Sequence, residues 1–178
     1  MHDVARTANL LGAAAVAFGD LVLASATEAS GASASGAAAL VTLSAAPDIS
    51  VTELGRRVGL TQSASARMVD SLEADGLVER RAHAFNKRWV TVHPTRSGRA
   101  AARRLLALRE RRLAAAVSTL DEVDQRALAE VLGKLLTQVY ADVGDSQYLC
   151  RLCDRECCGA SEPCPVGEAE RNNDTHHR

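Results

Sequence analysis

Aromatic residues are scarce in this chain and make up only 3% of its 178 residues. Alanine and leucine are abundant instead, and this composition favours closely packed helices over a β-sandwich. The patterns on which common enzyme sites depend are also missing. The sequence has no glycine-rich loop to cradle a phosphate, no Ser, His and Asp arrangement for nucleophilic catalysis and no paired acids in an evident cleft. We therefore expect a helical protein that is not an enzyme.

A membrane-spanning or secretory segment is not evident. Residues 10–23 are apolar, but Gly19 and Asp20 interrupt them, and no cationic stretch precedes them as it does in a secretory signal. The run is also short for a membrane span. We expect a cytoplasmic protein with no membrane partner.

The charges are distributed unevenly along the chain, although its net charge is only −1. Residues 50–112 carry 14 Lys or Arg and six Asp or Glu, whereas the segments on both sides have an acidic balance. A basic middle between acidic ends suggests a polyanion as the partner of the middle. The length predicts one domain with a tail or a dimerisation arm.

Residues 50–94 have the order of a helix-turn-helix followed by a β-wing. Ser50 with Glu53 predicts the capping box of a first helix, and Gly59 suits the left-handed turn that ends it. Thr61 predicts the cap of a second helix, which runs to about residue 75. Two short strands, 77–81 and 89–93, then enclose a basic hairpin loop. A helix presented in this way fits the major groove of DNA.

The residues expected to contact DNA lie at the start of the second helix and on the wing. Gln pairs with adenine in two-point fashion, and Arg pairs with guanine or phosphate. The wing arginine and lysine reach the minor groove or its phosphates. The predicted DNA-binding residues are Thr61, Gln62, Ser63, Arg67, Lys87 and Arg88.

Further helices are predicted on either side of this core. Helical spacing and caps indicate helices over residues 4–26, 35–45, 95–119 and 122–143, a loop over 27–36, and the end of regular structure at Gly144. The apolar faces of the first and last of these helices have no obvious partner in so small a core. Two-fold pairing of the chain would cover them and double the DNA contact, whereas packing within one chain is the alternative.

The helix-turn-helix and wing motifs together resemble the MarR family of transcriptional regulators. The resemblance lies in residues 53–63, 67–81, Lys87 with Arg88, and the helix start at 95–98, and extends over about 4–143. It implies a winged-helix homodimer with interlocked dimerisation helices, a pseudo-palindromic operator, and an effector pocket between the winged core and those helices. Asn86-Lys87-Arg88 stands where the family has Asp-x-Arg, so a brace of the wing tip is missing.

The resemblance and the motifs divide the chain into four parts. Residues 1–33 are assigned to an N-terminal dimerisation helix and residues 34–94 to the winged helix-turn-helix. Residues 95–143 are assigned to C-terminal dimerisation helices and residues 144–178 to a cysteine-rich tail. The predicted fold class is mainly α with a small β-wing.

All five cysteines fall within 15 residues of this tail, and their spacing favours metal or redox chemistry over a disulfide scaffold. Four thiolates suit tetrahedral zinc or an iron–sulfur cluster. A reversible thiol–disulfide sensor and functionally silent cysteines are the alternatives. The predicted ligands are Cys150, Cys153, Cys158 and Cys164, with Cys157 as an alternate.

These features predict a DNA-binding transcriptional regulator of MarR type with a redox- or metal-responsive tail and a small-molecule effector as a further partner. Of the two signs of regulation that the sequence leaves open, repressor and activator, we favour the repressor. The alternative is a metal or protein-interaction module that uses a winged-helix fold without binding DNA. A DNA-binding regulator loses affinity steeply with salt, whereas such a module has no salt-dependent DNA affinity to lose.

Overall fold

The computed structural model describes residues 3–83, 89–160 and 162–176. Their backbone is mainly helical with one small sheet, which confirms the predicted fold class. The elements are α1 (Val4–Ser30), α2 (Ala34–Ala45), β1 (Ile49–Ser50), α3 (Val51–Val58), α4 (Gln62–Ala74), β2 (Val78–Ala82), β3 (Val90–Pro94), α5 (Arg96–Val117), α6 (Glu122–Val143), α7 (Ser146–Leu149), α8 (Arg155–Cys158) and α9 (Pro165–His176).

The loop between the first two helices is much shorter than predicted. The expected loop over residues 27–36 is wrong, because α1 continues to Ser30 and α2 begins at Ala34. Gly31 ends α1 in the left-handed conformation at φ 69°, and the hydroxyl of Ser33 accepts a backbone hydrogen bond that caps α2. The small polar residues before Gly31 are compatible with helix, so only the glycine stops it.

α2 forms the centre of the core. Residues 36–43 of this helix are all buried, and it packs against α5, α3, α1, α4 and β3. A helix that is apolar on every side is stable only when its neighbours cover it completely. The largest fully buried apolar side chains around it are Leu40, Leu43, Leu54, Val69, Leu72, Val78, Val92 and Leu105.

The helix-turn-helix forms where its caps predict it. Ser50 caps α3, Gly59 at φ 77° ends it, and Thr61 caps α4. Leu60, in the turn between the two helices, is partly buried and packs against the core. The side chains that α3 and α4 bury against the core are Leu54, Val58, Ser65, Met68, Val69 and Leu72.

The wing is part of a three-stranded antiparallel sheet with the order β1-β3-β2. β2 and β3 each begin one residue later than predicted, at Val78 and Val90. β1 was not predicted, because two residues directly before a helix cap are too few to show alternation. It pairs Ile49 with Val92 and thereby joins the start of α3 to the wing.

α5 and α6 match their predicted positions, with Thr95 and Asp121 as their caps. α5 packs along α1 and α2 and buries Leu105. By contrast, α6 buries only Tyr140 among its 22 residues. Most of α6 therefore has no covering partner within one chain.

Regular structure continues beyond Gly144, contrary to the prediction. α7 contacts α3, and α9 folds back along α6. Leu152, in the turn after α7, packs against the core, and Val166 at the start of α9 is 2% exposed. The cysteine-bearing segment is thus docked on the rest of the chain.

Candidate nucleic-acid interface and cysteine cluster

The N-terminal end of α4 presents the predicted DNA-reading residues to solvent. Gln62, Ser63 and Arg67 are exposed on one end of the helix, while Ser65 between them is buried. The hydroxyl of Thr61 accepts a hydrogen bond from the backbone N–H of Ala64 at 3.4 Å and so helps to cap this end. The remaining N–H groups of the first turn, together with the helix dipole, favour an anion such as a DNA phosphate.

Close contact between α3 and α4 fixes how the recognition helix is presented. A Cβ placed on Gly55 would lie 1.8 Å from Ser65 Oγ and 2.7 Å from Ser65 Cβ, far inside contact distance. Only glycine permits this approach. The sequence gives little sign of it, because a glycine inside a helix is ordinarily read as a weak helix former.

The wing residues Lys87 and Arg88, predicted to contact DNA, lie outside the described residues. The base of the wing is described, and Arg80 of β2 joins it to the recognition helix. Its Nη2 donates to Asp70 Oδ1 at 2.6 Å, its Nη1 contacts Glu73, and its backbone N–H donates to Glu73 Oε1 at 3.0 Å. Asp70 therefore has a structural role: it joins α4 to the base of the wing.

Replacing Arg80 with alanine should weaken operator binding by about 1 kcal/mol, roughly fivefold, because two partly exposed ion pairs that align the wing are lost. Fluorescence anisotropy with a labelled operator duplex measures this change. Arg81→Ala is the matched control: Arg81 lies on the same strand and carries the same charge, but it pairs with Glu79 of its own strand. Equal losses in the two variants would mean that Arg80 acts only through its charge.

The opposite side of the wing is held by Asp48, a non-glycine residue in the left-handed conformation at φ 71°. Its Oδ1 lies 3.3 Å from Nε2 of His93, and its Oδ2 lies 3.9 Å from Nε2 of His83. A hydrogen bond with Thr91 and the nearby histidines hold the pKa of Asp48 below its usual range. The loop before β1 therefore contacts β3 and the residue that directly follows β2.

Several arginines of the basic helix α5 bind within the chain instead of facing a polyanion. Arg99 donates to the Pro94 carbonyl at 2.6 Å, and Arg104 donates to the Ala29 carbonyl at 3.4 Å. Arg112 contacts both Ser25 Oγ, at 3.0 Å, and Glu28 of α1. Part of the excess positive charge of residues 50–112 therefore serves contacts within the chain.

Four of the five cysteines line one cavity of about 170 Å³. They are the four that the spacing predicted as ligands: Cys150, Cys153, Cys158 and Cys164. Cys157 is exposed on α8, and all five are free thiols. In the described ranges, however, no three His, Cys, Asp or Glu side chains stand close enough together to hold a metal ion as they are placed. The thiols share a cavity without forming a closed ligand set.

The pKa values of three thiols that line the cavity, those of Cys150, Cys153 and Cys158, are raised. Burial, with a smaller effect from the neighbouring Cys153 and Cys164, raises the pKa of Cys150 to about 11. Burial, followed by the thiols of Cys164 and Cys153, raises the pKa of Cys158 to about 12. Burial also raises the pKa of Cys153. A ligand that takes the thiolate form must displace these protons.

A second, open cleft of about 460 Å³ lies between α2, α5 and the cysteine segment. Its apolar floor contains Val41 and Leu106, and its charged lining is mixed: Arg99, Arg103 and Arg155 with Glu110, Asp154 and Glu156. The cleft also touches Cys153, so the two cavities share a wall. The sequence could not place this cleft, because its walls come from three distant segments.

Residues 33–90, which contain the whole helix-turn-helix, match the model of the MarR family. This segment is a MarR-family winged helix-turn-helix. The MarR family and the fold together support a DNA-binding regulator of MarR type, a class of proteins that are generally not enzymes. No curated protein matches the chain in sequence.

Solved structures of MarR-type proteins share the fold of this chain. A MarR family protein of Mycobacterium tuberculosis, Rv2887, is 27% identical, with a TM-score of 0.59 over 75% of this chain and 95% of its own. Rv1404 of the same organism is 23% identical, with a TM-score of 0.68 over 76% and 93%. FabT of Streptococcus pneumoniae, solved in complex with DNA, is 20% identical, with a TM-score of 0.64 over 80% and 99%.

Proposed function

We propose that this MarR-type chain is a homodimeric transcriptional repressor that binds a pseudo-palindromic operator. Each protomer would place Gln62, Ser63 and Arg67 in the major groove, with Thr61 at the helix cap, and Lys87 and Arg88 at the wing. The observation that carries the proposal is the exposed, capped N-terminal end of α4 in a MarR-type winged helix. FabT and a second structure of Rv2887 in complex with DNA have the same fold.

The uncovered apolar surface of α1 and α6 supports the homodimer. Both helices expose large apolar side chains, which a soluble chain rarely leaves in contact with water over so wide an area. α1 also meets the length and composition of a membrane-spanning helix, but its last turns pack on α5 and bind Arg112. We therefore assign these faces to a second copy of the chain in the cytoplasm: Leu10, Leu11, Val16, Phe18 and Leu21 on α1, and Val131, Leu132, Leu135, Leu136, Val139 and Val143 on α6.

The proposed cofactor is a metal bound by the cysteine cavity, either a zinc ion or an iron–sulfur cluster. Convergence of Cys150, Cys153, Cys158 and Cys164 on one cavity supports it, since four thiolates are the usual donor set of both groups. Closure around the metal would need small shifts of the thiols. A thiol–disulfide sensor built from the same cysteines remains the alternative use of the cavity.

The open cleft is the proposed site of the small-molecule effector. Its apolar floor is bordered by three arginines and three acidic residues, a combination that suits a small molecule with both an apolar part and polar groups. Because the cleft lies between the winged core and α5, an occupant would change the orientation of the recognition helices in the dimer. We expect the occupied form to leave the operator.

DNA binding is tested by selecting a preferred duplex from a random pool and measuring its affinity by anisotropy at several salt concentrations. We expect nanomolar binding that weakens steeply with salt, and a loss of about 1–3 kcal/mol in Arg67→Ala, with relaxed sequence preference. Arg126→Ala, an exposed arginine of α6 with the same charge, is the control and should bind like the wild type. An absence of salt-dependent binding would favour the protein-interaction module instead.

A further inference from the structure

We propose that the cysteine segment acts on the helix-turn-helix of its own chain, as a strap between α6 and the turn that precedes the recognition helix. In this proposal a metal in the four-cysteine cavity holds the turn in its DNA-binding position. The inference rests on the proposed metal binding and adds the route by which it regulates DNA affinity. It does not require the tail to reach the partner protomer.

The short helix α7 takes part both in the four-cysteine cavity and in the contact with the helix-turn-helix. Ser146 and Gln147 of α7 line the four-cysteine cavity, and Cys150 directly follows the helix. The same helix contacts α3 of the helix-turn-helix, while α9, which forms the other wall of the cavity, lies along α6. A movement of the cavity wall is therefore also a movement against α3.

The strap also contacts the DNA-binding unit at the turn itself. The ring of Tyr148 lies against Gly59, and a Cβ placed on Gly59 would be 2.4 Å from Tyr148 Cε2. The positive φ of Gly59 is required to end α3, so this residue combines the turn with the room for the ring. α4 begins three residues later, at Gln62, and any shift of the turn reaches the recognition helix directly.

The two residues inside the Cys-x-x-Cys sequence anchor it in opposite directions. The guanidinium of Arg151 stacks on the ring of Tyr148 at 4.2 Å from its centre, and its Nη1 donates to the Tyr148 carbonyl at 2.8 Å. Leu152 packs against both clusters of the hydrophobic core. The loop that carries Cys150 and Cys153 is thus tied to the ring on the turn and to the core.

A second link joins the cap of α7 to the last turn of α3. Asp145 Oδ1 accepts the backbone N–H of Tyr148 at 3.0 Å, and its Oδ2 forms an ion pair with Arg56. Arg56 also donates to Glu53 at 2.9 Å within α3. The strap therefore contacts α3 at two points, one apolar and one ionic.

Metal binding would strengthen the strap because it adds bonds between its cysteines. Four thiolates on one zinc ion would draw the four sulfurs together, and the displaced protons would leave to solvent. The wall formed by α7 would then be held against Gly59 by the metal in addition to the contacts of Tyr148 and Asp145. Ordering the turn before DNA binds removes part of the entropy cost of binding, so metal and operator should bind cooperatively.

The experiment measures zinc binding and operator affinity separately, with the full chain as purified under reducing conditions and stripped by chelation. We expect the wild type to take up one Zn²⁺ per chain and to bind the operator about tenfold more tightly when loaded, within the usual range of coupling between two sites. Tyr148→Ala should retain the zinc stoichiometry and lose most of this difference. Tyr148→Phe, which keeps the ring, should behave like the wild type.

The other outcomes distinguish an error in the proposed strap from an error in the proposed metal site. If Tyr148→Ala binds zinc and keeps the full tenfold difference, the strap is wrong and the metal site stands. If neither zinc nor an anaerobically reconstituted iron–sulfur cluster binds, and Cys153→Ser changes nothing, the metal site is wrong and the strap with it. If the alanine variant does not fold, Tyr148→Leu repeats the test with a larger apolar side chain that also lacks the ring.

Discussion

An arginine at Leu132 should convert the dimer into a monomer and lower operator affinity by roughly 10²–10⁴-fold, because the second half-site is then no longer bound at high effective concentration. Leu132 is 45% exposed within one chain and lies in the apolar row of α6. Burying an arginine without a partner in that row is far less favourable than burying leucine. Sedimentation velocity measures the assembly, and anisotropy measures the affinity.

The control for this experiment is Thr137→Arg, which introduces the same charge at an exposed polar position on the other side of the same helix. It should remain dimeric and bind the operator normally. A monomeric wild type would overturn the assignment of the α1 and α6 faces to a second copy. A Leu132→Arg variant that stays dimeric would place the interface on another part of the surface.

A methyl group at Gly55 should destabilise the DNA-binding unit more than any surface change. In Gly55→Ala the new Cβ would meet Ser65 Oγ at 1.8 Å, so α3 and α4 must separate. We expect a loss of about 3 kcal/mol, at the upper end for an overfilled core, and a fall in melting temperature of about 6–12 °C. Thermal unfolding followed by circular dichroism measures the change.

Two further variants separate this contact from a general effect of alanine. The double variant Gly55→Ala with Ser65→Gly moves the side chain from one helix to the other and should recover part of the stability. Recovery is incomplete, because Ser65 Oγ also donates to the Thr61 carbonyl at 2.7 Å. Gly133→Ala is the control: its Cβ has no neighbour closer than 4.0 Å, so the variant should be as stable as the wild type or more so. An equal loss at Gly133 would contradict the steric argument.

Features governed by neighbours in the chain were predictable from the sequence. Ser50, Gly59 and Thr61 marked the ends of α3 and α4, since capping and left-handed turns depend on a few adjacent residues. The extent of α1 was not predicted, because the small polar residues before Gly31 fit a loop and a helix equally well. The order of helix, turn, helix and wing was enough to indicate a DNA-binding fold.

The cysteine cluster was predictable from the sequence only in part. The Cys-x-x-Cys spacing of Cys150 and Cys153 indicates two ligands of one site, and Cys158 with Cys164 was predicted to complete a set of four thiolates. That all four line one cavity depends on α9 folding back along α6. The sequence predicted the end of regular structure at Gly144. The helices α7 and α8 that follow are only four residues long, and the polar residues of the tail show no clear helical period.

Contacts between distant segments were decided by packing alone. The ion pair of Arg56 with Asp145 spans 89 residues, and nothing near either residue identifies its partner. The same holds for the contact of Tyr148 with Gly59. Local sequence specifies caps, turns and helical faces because those energies depend on adjacent residues. Which faces meet depends on the closest packing of the whole chain, and in this protein that packing places the cysteine segment on the turn before the recognition helix.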